Sequence, residues 1–279
     1  IISFLIIYVS RNYNFFLDNK IDIHKKLLNP NKNFFLGGVI FLLYMTPFLI
    51  ISNNFILLLF LSFIFLLGLL SDLKLLDDPK KRFIFQVLII FLFVSILDIR
   101  IFSSRLDIVD LYLQNQYLNY FFVVFCLMVF MNGSNFIDGL NSLLIIYIIL
   151  ILIVFLIFFK NSMPMINNFY ELIFILSFIF ILNSFGIIIL GDSGAYLISI
   201  FLGIHLIDFT NQNYIVSPYF IILLFWYPCF ELLFSMMRRF TSNSKTYNAD
   251  TNHLHQLLYL KIFKHNKLNF KMKHFLVSI

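Results

Sequence analysis

Four clusters of polar residues interrupt an otherwise apolar chain. They are Ser71-Asp72, the run from Asn132 through Asn135 to Asp138-Gly139, Gly191-Asp192-Ser193-Gly194, and His253-Leu254-His255. Carboxylates and amides bind hard cations, and carboxylates beside cations suit metal-assisted work on phosphoryl groups. Asn132, Asn135 and Asp138 recur at i, i+3 and i+6, so a helix through them presents all three on one face. A helix end needs only one polar cap, whereas three costly polar groups on one stripe point to a ligand. In the second glycine-rich cluster, Asp192 or Ser193 is expected to cap a helix starting near Ala195. The backbone N–H groups there favour an anion such as phosphate. Ser71-Asp72 is followed by Lys74, Lys80, Lys81 and Arg82, with Asp77-Asp78 as a rival carboxylate pair in the same loop. His253 and His255 follow Asp250 in a long basic loop that holds no cysteine. Zinc would want further ligands at tetrahedral spacing, so contact of the imidazoles with phosphate is the better reading. His24, His205, His265 and His274 lack comparable context.

The elements that must position these groups are apolar helices. Hydrophobic residues make up 61% of the 279 residues and charged residues only 12%, a composition no soluble domain of this size could bury. Apolar runs recur at the about 17–25 residues needed to cross hydrocarbon as a helix. They lie at 34–52, 55–70, 83–97, 118–133, 143–159, 171–190, 195–209 and 217–236, with partial runs at 1–10 and 275–279. The terminal runs read as cut helices and the chain as a fragment. Ile1–Ser10 has neither the basic start nor the cleavage site of a signal peptide.

Loop charge orients the bundle. Of the 20 Lys and Arg residues, 17 fall in 11–33, 71–82 and 237–274, loops of one parity, and only Arg100, Arg105 and Lys160 fall in the others. The positive-inside rule places the first set in the cytoplasm, and parity puts all four polar clusters on that side. The net charge of +6 then reflects membrane orientation and attraction to anionic headgroups and substrates, and argues nothing for nucleic acid. Cys126 and Cys229 lie inside apolar runs and read as small fillers, not a disulfide. No repeat period or soluble second domain is visible, so residues 1–279 are taken as a single membrane domain.

Taken in order, four longer patterns carry a resemblance. They are Gly68-Leu-Leu-Ser71-Asp72 followed by Leu76, Pro79, Arg82 and Gln86; Met131-Asn-Gly-Ser-Asn-Phe-Ile-Asp-Gly-Leu-Asn141; Leu190-Gly-Asp-Ser-Gly-Ala-Tyr196; and Ala249-Asp-Thr-Asn-His-Leu-His-Gln-Leu-Leu-Tyr259. Together, from Gly37-Gly38 to Tyr259, the chain resembles the polyprenyl-phosphate N-acetylhexosamine-1-phosphate transferases. That superfamily includes the translocase of peptidoglycan synthesis and the enzymes that initiate O-antigen and teichoic acid chains. The form of the His253–Tyr259 segment is nearer the O-antigen and capsule branch. The resemblance implies an all-α polytopic integral membrane protein, a bundle of about ten transmembrane helices in the bacterial inner membrane with its active site facing the cytoplasm. It further implies Mg²⁺ or Mn²⁺ as cofactor, a UDP-N-acetylhexosamine donor and undecaprenyl phosphate as acceptor, with membrane lipids around it and a homodimer as an option. By carry-over, Asp72, Asp138, His253 and His255 would be catalytic, Asn132, Asn135 and Asn141 would bind the donor, and Asp192 would bind the metal.

Three positions depart from the family pattern: Ser71 stands where the first Asp of a pair is common, Asn141 where an Asp is common, and Thr251 where an Arg often follows Asp250. The first bears on any mechanism that gives the acceptor's proton to that Asp, and the second on contacts to uridine. Two rival functions remain. A transporter would place its polar groups near mid-membrane rather than at helix ends, and an inactive scaffold descended from the enzyme would account for Ser71.

Overall fold

A computed structural model describes residues 2–13, 16, 34–159, 166–241 and 253–263. Asp250, Thr251, the run 275–279 and most of the cations of 11–33 and 237–274 therefore lie outside the described residues. The described chain folds into α1 (Ile2–Tyr13), α2 (Gly37–Ile51), α3 (Phe55–Asp72), α4 (Pro79–Ile96), α5 (Asp107–Leu113) and α6 (Gln116–Ile137). It continues through α7 (Leu143–Phe159), α8 (Ile166–Ser184), α9 (Gly191–Gln212), α10 (Pro218–Leu224), α11 (Trp226–Thr241) and α12 (Leu254–Phe263). Among the described residues the only strand-like pairing is an isolated parallel bridge between Phe35 and Ile189.

Local sequence explains several boundaries. Asp78 accepts the N–H of Lys80 at 2.9 Å and Pro79 opens α4, so the rival carboxylate pair supplies an ordinary exposed cap. Asn115 caps α6 through the N–H groups of Tyr117 and Leu118, and Ser217-Pro218 opens α10 in the same way as Asp78-Pro79 opens α4. The single apolar run expected at 217–236 is instead two helices, α10 and α11, bent by 70° where they meet. The run expected at 171–190 stops being helical at Ser184, because Gly186 takes a φ of 64° and Ile189 then pairs with Phe34 and Gly37 through backbone hydrogen bonds.

This is an all-helical membrane protein. Leu57, Phe60, Leu61, Ile64 and Leu67 of α3 face the interior, while Leu59, Phe63, Leu66 and Leu70 of the same helix are exposed. A helix apolar on every side needs a lipid solvent on its outer face. Among the described residues α3, α6 and α9 are each long and apolar enough to cross a membrane, and α10 with α11 makes a fourth, bent candidate. Helices α2 and α7 and the Phe169–Ser184 part of α8 are apolar but shorter. The described residues thus supply fewer full-length spans than the ten expected.

Helix α9 is the hub, buried along nearly its whole length and packed on α2, α3 and α6. Its closest approach is to α3, where a methyl group on Gly68 would come within 2.4 Å of the Ser193 Cα. Gly133 makes the same allowance between α6 and α11, facing the carbonyl oxygen of Pro228 at 2.4 Å. These contacts gather the C-terminal ends of α3 and α6 and the N-terminal end of α9 on one side. At the other end of the bundle, Asn211 donates to the carbonyl of Arg100 at 2.6 Å and Arg105 donates to the carbonyls of Tyr214 and Val216, closing the loops there.

Candidate active site

The first cluster forms where α3 ends against the start of α9. Both carboxylate oxygens of Asp72 are engaged: Oδ1 accepts the N–H of Asp192 at 2.8 Å, and Oδ2 accepts the N–H and the hydroxyl of Ser193 at 3.0 and 2.8 Å. Asp72 thus caps a helix some 120 residues away in the chain, as a capping side chain normally does for its own. This corrects the expectation that Asp192 or Ser193 caps a helix beginning near Ala195. The helix begins at Gly191, Leu190 in the N-cap position makes no side-chain cap, and two of the N–H groups expected to meet a phosphate are taken by Asp72. Gly191 permits the arrangement twice over. It holds φ at +73°, and a side chain there would lie 2.6 Å from Asp72 Oδ2.

Ser71 and Arg82 converge on Asp192. The Ser71 hydroxyl donates to Asp192 Oδ2 at 2.6 Å, and Arg82 Nη1 donates to Ser71 Oγ at 2.5 Å and reaches Asp192 Oδ2 at 3.4 Å. Ser71 here ties the Arg82 guanidinium to the Asp192 carboxylate. Among the described residues no three His, Cys, Asp or Glu side chains are grouped to hold a metal ion. A cation at Asp192 would be held through one protein carboxylate, which suits Mg²⁺ completing its octahedron with water and substrate phosphates and does not suit an all-protein cage.

The bridge to the second cluster runs through Gln86, one turn beyond Arg82 on α4. Gln86 Oε1 accepts from the Asn132 side chain at 3.2 Å, and the Asn132 amide also donates to the carbonyl of Met128. As the spacing predicts, α6 runs helically through Asn132 and Asn135 and ends with Asp138 as its C-cap, all three half-buried. Asn141 is buried in the turn that follows, and that turn is braced by Ser142, whose hydroxyl contacts Asn183 and Ser184 at the end of α8.

The third cluster closes on the end of α6. His255 is buried, its Nε2 lies 2.8 Å from where a side chain on Gly139 would stand, and its Nδ1 contacts the Tyr227 hydroxyl at 3.1 Å. Its ring stacks nearly parallel on His253, 5.7 Å away, and His253 in turn packs on Phe136. Burial pushes the His255 imidazole down to about 3, with His253 adding to the effect and Glu231 opposing it. His255 is therefore neutral. His205, by contrast, sits in the middle of α9 with Nδ1 on the carbonyl of Phe201 at 2.7 Å and belongs to the core.

Helix packing thus sets Asp72 and Asp192 at the start of α9, Asn132, Asn135 and Asp138 along the end of α6, and His255 and His253 against that end. Glu231 and Tyr227 were missed. Glu231 is buried on α11 and accepts from His253 at 3.1 Å and from the N–H of Leu254 at 2.9 Å. One signal could have found it, since it is the lone carboxylate inside the apolar run 217–236, and an ionisable residue in such a run is by default a functional candidate. Gln86 and Arg82 were visible only as members of a pattern, without a role.

A family model described as Glycosyl transferase family 4 matches residues 54–210. The match takes in Asp72, Asn132, Asn135, Asp138, Asn141 and Asp192 and stops short of Glu231, His253 and His255. No curated protein matches the chain.

Proposed function

The chain belongs to glycosyl transferase family 4, and is on that ground a membrane phosphosugar transferase of the kind that moves a sugar phosphate from a sugar nucleotide to a polyprenyl phosphate; we propose that its donor is a UDP-N-acetylhexosamine and its acceptor undecaprenyl phosphate. In this reaction an acceptor phosphate oxygen attacks the phosphorus that carries the sugar. The bond from that phosphorus to the bridging oxygen breaks, UMP leaves, and a lipid pyrophosphoryl sugar remains. The product would start a cell-surface glycan at the inner membrane of a bacterium, on the cytoplasmic side.

The observation that carries the reading is the convergence of Ser71, Asp72, Arg82 and Asp192 at the start of α9, one turn along α4 from Gln86, which accepts from Asn132. Asp192 would hold Mg²⁺ or Mn²⁺. When bound, that ion neutralises the donor pyrophosphate and polarises its phosphorus. Arg82 adds a fixed positive charge beside the same carboxylate. Asp72 keeps the start of α9, and with it Asp192, in place. Asn132, Asn135 and Asn141 offer amides to the uridine and sugar, while Asp138 ends their stripe beside the histidines. No carboxylate stands at position 71, so the acceptor attacks as the phosphate dianion present near neutral pH, and positioning supplies most of the rate.

Membranes carrying the protein test this with undecaprenyl phosphate, Mg²⁺ and a panel of UDP-N-acetylhexosamines. UMP release should require all three components. Release without the lipid acceptor would mark a hydrolase, and no release with any donor would favour an inactive scaffold, the reading that Ser71 supports.

A further inference from the structure

Helix α11 carries a single acidic residue, Glu231, and buries it with 2% of its surface exposed. Both of its oxygens are committed to the start of the histidine segment, Oε2 to His253 Nδ1 at 3.1 Å and Oε1 to the N–H of Leu254 at 2.9 Å. An ionised carboxylate can only accept, so the His253 nitrogen facing it must carry a hydrogen. In the neutral ring this leaves the lone pair on Nε2, which has no hydrogen-bond partner among the described residues. Among the described residues, α6, α11 and α12 contribute the other groups near the ring. His255 of α12 stacks on it, Phe136 of α6 covers it with Asp138 two residues further on, and Arg239 of α11 lies over Phe136 at 5.7 Å. None of these competes with Glu231 for Nδ1.

We propose that Glu231 is a positioning residue that keeps the His253 Nδ1–H on its own carboxylate, so that Nε2 is the nitrogen turned to the nucleotide donor and, when it carries a proton, donates to a phosphate oxygen there. The inference rests on the reading of this site as a sugar-nucleotide transferase. It adds a residue outside the stretch matched by the family model. The buried carboxylate balances the charge of a ring that donates from both nitrogens. Replacing Glu231 by Gln keeps an acceptor for Leu254 but turns an amide N–H₂ toward Nδ1. The ring must then accept at Nδ1 and carry its hydrogen on Nε2.

The test uses the full-length protein in lipid nanodiscs, as wild type and as Glu231→Gln, Glu231→Asp and Glu231→Ala. Nitrogen-15 spectra of histidine-labelled protein, with the His253 signal identified by its loss in His253→Asn, should show Nδ1–H in wild type and Nε2–H in Glu231→Gln. In transfer assays Glu231→Gln should raise KM for the UDP-sugar about tenfold, the scale of one charge-assisted hydrogen bond lost, with kcat changed much less. Glu231→Asp, which keeps the carboxylate, should restore part of the affinity. Glu231→Ala reports the separate cost of undocking α12. An unchanged tautomer and an unchanged KM for the UDP-sugar in Glu231→Gln would overturn the proposal, even if Glu231→Ala lowers the melting temperature. If the wild type transfers nothing yet Glu231→Gln still switches the tautomer, the proposed function fails while the placement of His253 by Glu231 stands.

Discussion

Asp72 accepts both the backbone N–H and the hydroxyl of Ser193, so the last residue of α3 caps the first turn of α9. A residue expected to act on substrate is thereby tied into the architecture that aims Asp192. Asp72→Ala would leave the N–H groups of Asp192 and Ser193 buried without their acceptor, at a cost of about 1.5–3 kcal/mol for lost bonds to a charged group. Transfer should vanish and the melting temperature should fall together. The double change Asp77→Ala/Asp78→Ala removes one exposed cap, worth about 1 kcal/mol, and should leave most of the transfer. If the double change is lethal and Asp72→Ala mild, Asp77-Asp78 is the functional pair.

Asp192→Asn separates charge from shape. Ser71 can still donate to the amide oxygen, but the negative charge that faces Arg82 and would bind a cation is gone. The Mg²⁺ concentration for half-maximal transfer should rise about tenfold or more, since even groups one bond removed from a metal cost 10–100-fold when changed. A loss of rate with the Mg²⁺ dependence unchanged would take Asp192 out of the ligand role.

Close helix approach predicts a contrast among glycines. Gly68→Ala and Gly133→Ala each place a methyl against backbone, 2.4 Å from Ser193 Cα and from the Pro228 carbonyl oxygen, and should cost about 1–3 kcal/mol as overpacking. Gly139→Ala meets only side-chain atoms, His255 Nε2 at 2.8 Å and Gln256 Nε2 at 3.1 Å. It should leave the melting temperature nearly unchanged and raise KM for the donor. Equal destabilisation by all three would mean that the Gly139 turn is as rigidly packed as the helix crossings.

Docking of α12 should depend on pH in one direction. The His255 imidazole is pushed down to about 3 when docked, while an undocked histidine titrates near its ordinary value of about 6.5. Above that value both forms are neutral and docking is complete. As pH falls below it, the undocked form takes up a proton that the docked form refuses, so docking weakens by at most about tenfold per pH unit. Hydrogen exchange in 254–263, corrected for the intrinsic pH effect, should therefore quicken between pH 7.5 and pH 5. His255→Gln should abolish that trend, and a wild-type profile flat across this range would contradict it.

The lipid-facing helical class, the placing of most helices and the stripe of Asn132, Asn135 and Asp138 were determined by the sequence alone, because each follows from local quantities. Apolar runs of spanning length have no other stable backbone form in hydrocarbon, and the 3.6-residue period puts neighbours three and four apart on one face whatever the rest of the chain does. The same local logic started α9 near Ala195 with a cap from Asp192 or Ser193, and read 217–236 as one span. In the first case the cap comes from Asp72 instead of from a neighbouring residue, and in the second the break at Phe225 lies inside an unbroken apolar run. Only the tertiary structure decided that Asp72 closes α9, that Ser71 links Arg82 to Asp192, that Gln86 meets Asn132 and that Glu231 holds His253. These pairs lie from 11 to 121 residues apart in the chain, and nothing in a periodic pattern selects them. They are chosen by how closely helices can approach, which Gly68 and Gly133 set by lacking a side chain, and by the need of buried donors and carboxylates to find one another once water is gone.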